Sequence, residues 1–224
     1  MLIPISVVDD FFDDPDRVRN FAISQSFDYP RGYYPGYRTD HLNVLDKDLF
    51  EEINNMLLLL FFNPYVDNIE IEVESQFQSI PEKFEEGWVH LDIDVNQRHL
   101  AGVIYLTPSA PVVAGTSLYK KIKEVNNDNF KYRNEFYLNE KVDDHQTYVK
   151  KRDQHNSCFE KTVDIGNVYN RCIIYNANDY HKESKFFGSC LEDSRLTLCF
   201  KLSVTLYGKT MFPIQRSNNI RDCK

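Results

Sequence analysis

None of the five cysteines (Cys158, Cys172, Cys190, Cys199 and Cys223) stands in a C-x-x-C pair, and five is an odd number. That argues against a zinc ribbon and against a disulfide-stapled scaffold, and fits a reducing cytosol. Long apolar runs are also missing. The longest, Met56 to Phe62, falls far short of the roughly 20 residues that cross a bilayer. Met1 to Val8 has neither a basic start nor a long apolar core, so no signal peptide is expected and the location predicted is cytoplasmic. Positive charge is in deficit: 26 Lys and Arg against 34 Asp and Glu leave a net charge of −8. Broad attraction to a phosphate backbone or an anionic membrane is therefore disfavoured. Repeats and low-complexity segments are absent.

With 42% hydrophobic and 27% charged residues, the 224-residue chain has the balance of a soluble globular protein, and this length suits one domain, 1–224. Residues 2–8 read as a short strand. Asp14-Pro15 then starts a helix, with Val18, Phe21 and Ala22 at helical spacing. Tyr29 to Asn43, rich in Tyr, Gly, Pro and Arg, reads as an ordered loop. A second helix is predicted from Asp46 to Phe61, with Leu49, Ile53, Met56, Leu57 and Leu60 on one stripe. Thus 1–66 forms a helical support. From 67 to 206 the pattern changes to strands: 69–73, 89–93, 100–106, 171–175 and 196–206. Helices followed by a run of strands predict a mainly β protein with flanking helices, a β-sandwich or jelly roll. Residues 120–160 interrupt this core with a polar, aromatic-rich insertion, helical near 143–152. It is either a lid over a site or a surface excursion.

The chemistry-bearing segment is Trp88-Val89-His90-Leu91-Asp92. Residues two apart on a strand point the same way, so His90 and Asp92 aim together. An imidazole and a carboxylate inside an apolar strand are costly to bury without a metal or a polar partner. A second histidine from a distant strand completes the two-His-one-carboxylate set that holds non-haem Fe(II) and leaves three positions open. His181, directly after the strand ending at Tyr175, is the candidate, and His99 is its rival. Asp94 shares the face of His90 and Asp92 but lies near a turn. Arg195 opens the last long strand, with Thr197 on the same face. A guanidinium fork and a hydroxyl together suit a carboxylate, whereas Arg195 alone would read as an ion pair with Glu192 or Asp193.

In order and spacing these pieces resemble the 2-oxoglutarate and Fe(II)-dependent oxygenases. They resemble in particular the small prolyl-hydroxylase-like branch, which has many uncharacterised bacterial and phage members. The likeness spans roughly 85–205 through Gly87 to Asp92, Ala101 to Leu106, Gly115 to Tyr119, Tyr175 to His181 and Arg195-Leu196-Thr197. Phe11 to Pro15 and Tyr34 to Thr39 also look familiar from that branch. The resemblance implies a double-stranded β-helix, the cupin-like barrel, with His90, Asp92 and His181 binding iron. It implies that Arg195 anchors the distal carboxylate of 2-oxoglutarate, with Thr197 and Tyr105 adding hydrogen bonds, although Tyr105 in an apolar strand also reads as core. Fe(II), 2-oxoglutarate and O2 are then the cofactor and cosubstrates. The implied reaction is hydroxylation of a peptide side chain or small metabolite, since related halogenases lack the carboxylate ligand. Two other readings stand beside it: a metal cupin enzyme that does not use 2-oxoglutarate, and a non-catalytic jelly-roll module. The sequence does not set the oligomeric state.

Overall fold

Two sheets face each other, and helices cover the outer face of the larger one. The computed structural model describes residues 5–60, 69–92, 100–141, 143–206 and 209–210. Its strands are β1 (Ile5–Val8), β2 (Tyr37–His41), β3 (Ile69–Ile80), β4 (Leu100–Tyr105), β5 (Thr116–Lys121), β6 (Phe159–Ile165), β7 (Cys172–Asn176), β8 (Tyr180–Glu183), β9 (Arg195–Leu206) and β10 (Lys209–Thr210). The helices are α1 (Pro15–Ile23), α2 (Leu42–Leu45), α3 (Lys47–Leu59), α4 (Phe130–Asn139) and α5 (His145–Asn156). The larger sheet runs β1-β7-β4-β9-β3-β2, with β10 beside β9; the smaller runs β6-β5-β8. All recorded pairings are antiparallel, the longest being β3 with β9, from Ile69 opposite Leu206 to Ile80 opposite Arg195.

Local chemistry explains the helices. Asp14 accepts a hydrogen bond from the Arg17 amide and Pro15 occupies the first turn of α1, while Asp46 accepts from the Leu49 amide at the start of α3. Each side chain satisfies an amide that the helix itself leaves unpaired. Val18 and Ala22 of α1 and Leu49, Ile53 and Leu57 of α3 are buried. They pack on Leu100, Ile104, Cys172, Ile174, Leu198, Phe200 and Leu202 of the sheet. Burying each large aliphatic side chain contributes about 1.5–3 kcal/mol.

Strand alternation gives the sheet its second face. Ala101, Val103, Tyr105, Ile173 and Tyr175 turn inward and meet Leu118 and Ile165 of the smaller sheet. A third cluster joins Ile80, Phe84, Trp88 and Phe186 to Phe136 and Tyr137 of α4 and Tyr148 of α5. The insertion is therefore packed on the aromatic residue that precedes the His-x-Asp pair.

Three sequence expectations change. Tyr29–Asn43 is not all loop, because it contains β2 and the start of α2; β2 is a polar strand (YRTDH) at the sheet edge, irregular between Arg38 and His41. Of the strand predicted over 89–93, Ile93 lies outside the described residues, and the described residues 89–92 form one isolated bridge, His90 to His181. Its backbone is engaged elsewhere: Asn156 Oδ1 accepts from the Val89 amide at 3.0 Å, and the Val89 carbonyl accepts from His155 Nε2 at 2.7 Å. The polar insertion begins in β5 and ends in β6, and it holds two helices, α4 and α5, where helix was expected only near 143–152.

Candidate metal centre and its cavity

His90 and His181 exchange backbone hydrogen bonds, 2.9 Å from the His90 amide to the His181 carbonyl and 3.0 Å in return. The Asp92 amide then donates to the Ala177 carbonyl at 3.1 Å. These bonds bring the three side chains together. One ligand atom from each of His90, Asp92 and His181 lies within 4.8 Å of the others.

The imidazoles are oriented from behind. His90 Nδ1 lies 2.7 Å from the Trp88 carbonyl, and His181 Nδ1 lies 2.9 Å from that of Asp179. A carbonyl only accepts, so each Nδ1 carries a proton, and Nε2 is the nitrogen left to act as a ligand atom when it is unprotonated. This is the arrangement in which metal-ligating histidines are usually held. Asp92 Oδ2 sits 3.4 Å from His181 Nε2, and Asp92 Oδ1 sits 3.3 Å from Lys201 Nζ. Burial opposes charge on Asp92, but His181, His90 and Lys201 outweigh it and hold the carboxyl well below its usual range. Burial and the neighbouring His181 lower His90 to about 4, so it stays neutral at physiological pH. Burial also disfavours charge on His181, yet Asp92 beside it raises its pKa overall. Two imidazole nitrogens and one carboxylate oxygen, supported by carbonyls, are a donor set that fits Fe(II) with open positions. Asp94 and the rival His99 lie outside the described residues.

The centre opens on a cavity of about 460 Å³, within the usual range for small-molecule sites. Arg195 lines it and is 1% exposed. Its Nε donates to the Ala114 carbonyl at 3.3 Å, its Nη2 to Thr116 Oγ1 at 3.4 Å, and its guanidinium carbon lies 5.4 Å from the centre of the Tyr105 ring. It is not paired with Glu192 or Asp193; Asp193 instead accepts from the Ser189 and Cys190 amides. Thr197 and Tyr105 are fully buried and are not among the lining residues. The Thr197 hydroxyl lies 3.5 Å from the Gln78 carbonyl and 3.4 Å from Cys199 Sγ, and the Tyr105 hydroxyl donates to Thr116 Oγ1 at 2.8 Å.

Several lining residues escaped the sequence reading. Glu183 follows His181 by two on β8, and Lys201 and Cys199 continue the Arg195 face of β9, so alternation alone would have found them. Cys199 is thus only partly buried and lines the cavity, whereas Cys172 is buried. Arg133 and Tyr137 come from α4, which makes the insertion a wall of the cavity. Arg38 comes from β2, and Trp88 and Tyr175 complete an aromatic lining.

Residues 3–185 match the model of a family of unknown function (DUF6445). No curated protein matches the chain in sequence. Among solved structures, HygX from Streptomyces hygroscopicus, with nickel, 2-oxoglutarate and hygromycin B bound, is similar at a TM-score of 0.53. It is 10% identical, and the match covers 89% of this chain and 82% of that one. The epimerase SnoN from nogalamycin biosynthesis, in complex with ferric iron, alpha-ketoglutarate and nogalamycin RO, is similar at 0.52. It is 11% identical over 91% of this chain and 81% of its own. A prolyl-4-hydroxylase from Pseudomonas putida is 13% identical over 89% of this chain and 92% of that chain, at a TM-score of 0.45. At these identities the likeness to HygX and SnoN establishes the fold: a jelly roll of the kind found in 2-oxoglutarate-dependent oxygenases, with helices flanking antiparallel sheets.

Proposed function

This chain belongs to a family of unknown function, DUF6445, and we propose that it is an Fe(II)- and 2-oxoglutarate-dependent oxygenase, one domain over 1–224, that hydroxylates a C–H bond of a small metabolite or a peptide side chain. The observation that carries the reading is the convergence of His90 Nε2, His181 Nε2 and an Asp92 oxygen, each imidazole fixed by a carbonyl on its far side. The fold shared with HygX and SnoN, both solved with a metal and 2-oxoglutarate, supports it.

In this reading His90, Asp92 and His181 hold the iron. Arg195 receives the distal carboxylate of 2-oxoglutarate. It is the buried cation of β9 with no carboxylate partner among the described residues, and the Tyr105 ring and Thr116 orient its fork. Tyr105 acts through Thr116, and Thr197 supports the same strand face from its bond to Gln78. When bound, iron and 2-oxoglutarate would supply the oxidising power, one atom of O2 going into succinate as CO2 leaves and the other into the substrate. Lys201 fixes Asp92 Oδ1 and so sets the orientation of the carboxylate. Trp88, Val103 and Tyr175 line part of the cavity with apolar surface. No helix among the described residues is long and apolar enough to cross a membrane, and a cytoplasmic location belongs to this reading.

Anaerobic titration with Fe(II) and then 2-oxoglutarate tests the reading. A weak visible charge-transfer band that appears only with both is the expected result. Iron binding without any response to 2-oxoglutarate would indicate a metal cupin enzyme, and absence of iron binding a non-catalytic module.

A further inference from the structure

Arginine partners divide this protein into two groups. Arg17 pairs with Glu52, Arg31 with Glu140, Arg152 with Glu85 and Arg171 with Asp9. Arg19 donates to the carbonyls of Leu106 and Glu192. The three arginines that line the cavity, Arg38, Arg133 and Arg195, pair with no carboxylate among the described residues. Arg195 has a role in the reading above. The other two do not.

Arg38, on β2, lies with its guanidinium carbon 3.9 Å from the centre of the Tyr34 ring, and its Nε is buried without a hydrogen-bond partner. Arg133, on α4, lies 4.4 Å from the centre of the Phe130 ring, and among the described residues it donates to Oδ1 of the adjacent Asn134, at 3.1–3.2 Å. Stacking on a ring leaves the edge of a guanidinium, where the N–H donors are, free to bind. A partly buried cation with no paired anion is costly, and so is an unpaired buried N–H; at Arg133 the charge of Glu183 offsets only part of the burial cost. Both costs fall if the molecule that enters brings the anion. The same cavity is also lined by Tyr34, Trp88 and Tyr137, which suit a flat apolar body.

We propose that Arg38 and Arg133 form the anion-binding end of the substrate site, and that the substrate is a small acid, an apolar body carrying a carboxylate or phosphate. The proposal rests on the oxygenase reading only in taking this acid as the molecule oxidised; the anion site itself does not depend on it. It also makes the two arginines specificity-determining residues contributed by the edge strand and by the insertion.

Trp88 is the one tryptophan in the sequence and lines the cavity, so its emission reports occupancy. The full chain, loaded anaerobically with Fe(II) and 2-oxoglutarate, is titrated with phenylacetate, phenyl phosphate and the neutral phenylacetamide. Saturable binding of at least one acid is expected, about 10-fold or more tighter than that of the amide. Whichever acid binds more tightly identifies the anion. Arg38→Gln and Arg133→Gln should each weaken acid binding about 10- to 100-fold and leave the charge-transfer band of the 2-oxoglutarate complex in place. Arg38→Lys and Arg133→Lys, which keep the charge, should recover part of the affinity, and circular dichroism confirms that each variant is folded. Equal binding of amide and acids, no saturable binding by either acid, or acid binding indifferent to both Gln variants overturns the proposal. So does acid binding that 2-oxoglutarate displaces and that Arg195→Gln abolishes, because the acid would then sit in the cosubstrate position. Absence of the charge-transfer band in the wild type would instead sink the oxygenase reading. Acid-selective quenching that depends on Arg38 and Arg133 would then persist in the metal-free protein.

Discussion

His90 and His181 are joined twice, by reciprocal backbone hydrogen bonds of 2.9 and 3.0 Å and by imidazole rings whose centres lie 4.4 Å apart. The backbone bridge sets the distance between the rings, and the carbonyls of Trp88 and Asp179 set their rotation. Very little of the geometry depends on the side chains attracting one another. Substitution of a candidate ligand should therefore remove the centre without undoing the strands around it.

Asp92→Asn and His181→Ala are expected to weaken Fe(II) binding by more than about 100-fold, beyond the 10- to 100-fold typical of losing a supporting group behind a ligand. Turnover of 2-oxoglutarate should disappear in both. Calorimetric titration with Fe(II) or Ni(II) under argon measures the first effect and succinate release the second. Full turnover in either variant would exclude that residue from the centre.

Arg195→Gln should act on affinity. Charge-assisted hydrogen bonds contribute about 1.5–3 kcal/mol, so the apparent KM for 2-oxoglutarate should rise about 10- to 100-fold while kcat at saturation changes little. A fall in kcat with KM unchanged would mean that Arg195 does not hold the cosubstrate. The same assay on Thr116→Val separates binding from orientation: loss of its hydroxyl should produce a smaller rise in KM, because Arg195 keeps its bond to the Ala114 carbonyl.

The insertion should contribute to stability as well as to the cavity wall. Phe136 is 5% exposed, and its ring centre lies 4.5 Å from that of Tyr148, whose hydroxyl accepts from Trp88 Nε1 at 3.2 Å. Phe136→Ala is expected to cost about 3–5 kcal/mol. Tyr148→Phe, which strands a buried indole N–H, should cost about 1–3 kcal/mol. Urea unfolding measures both. A loss below about 1 kcal/mol for Phe136→Ala would show that α4 is not part of the folded core.

What could be read in advance followed from periodicity. Alternation along β9 sorts Leu198 and Leu202 to the helices and Arg195 and Lys201 to the cavity, and the two-residue spacing of His90 and Asp92 survives in the structure. Asp14 also caps the helix start that Asp14-Pro15 suggested. The features that escaped are short, polar or set by distant partners. β8 has four residues, and β6 (FEKTVDI) turns mostly exposed polar groups outward. Val89 looks like strand, but Asn156 and His155 of α5 engage its amide and carbonyl, and no local pattern encodes that. Arg133 sits on a helix whose apolar residues do not gather on one face, so nothing in its neighbourhood marked it as a cavity residue.

His155 supplies a pH test of the packing behind the centre. It is 1% exposed, its Nε2 donates to the Val89 carbonyl at 2.7 Å, and its Nδ1 has no partner. Trp88, Phe130 and Phe159 lie around the ring. Burial lowers its pKa below the ordinary value of 6.5; the Val89 carbonyl opposes the shift and the charge of Arg133 adds to it. Above about pH 6.5 the ring is neutral in the folded and unfolded chain alike and contributes no pH dependence. Below that, the unfolded chain takes up the proton first, so stability falls with pH until the folded ring also titrates. His155→Gln can keep an N–H donor toward Val89 but cannot titrate. Its melting temperature should therefore fall less than that of the wild type between about pH 7.5 and pH 5. Parallel declines for the two proteins would show that this ring is not held neutral against the segment that carries His90.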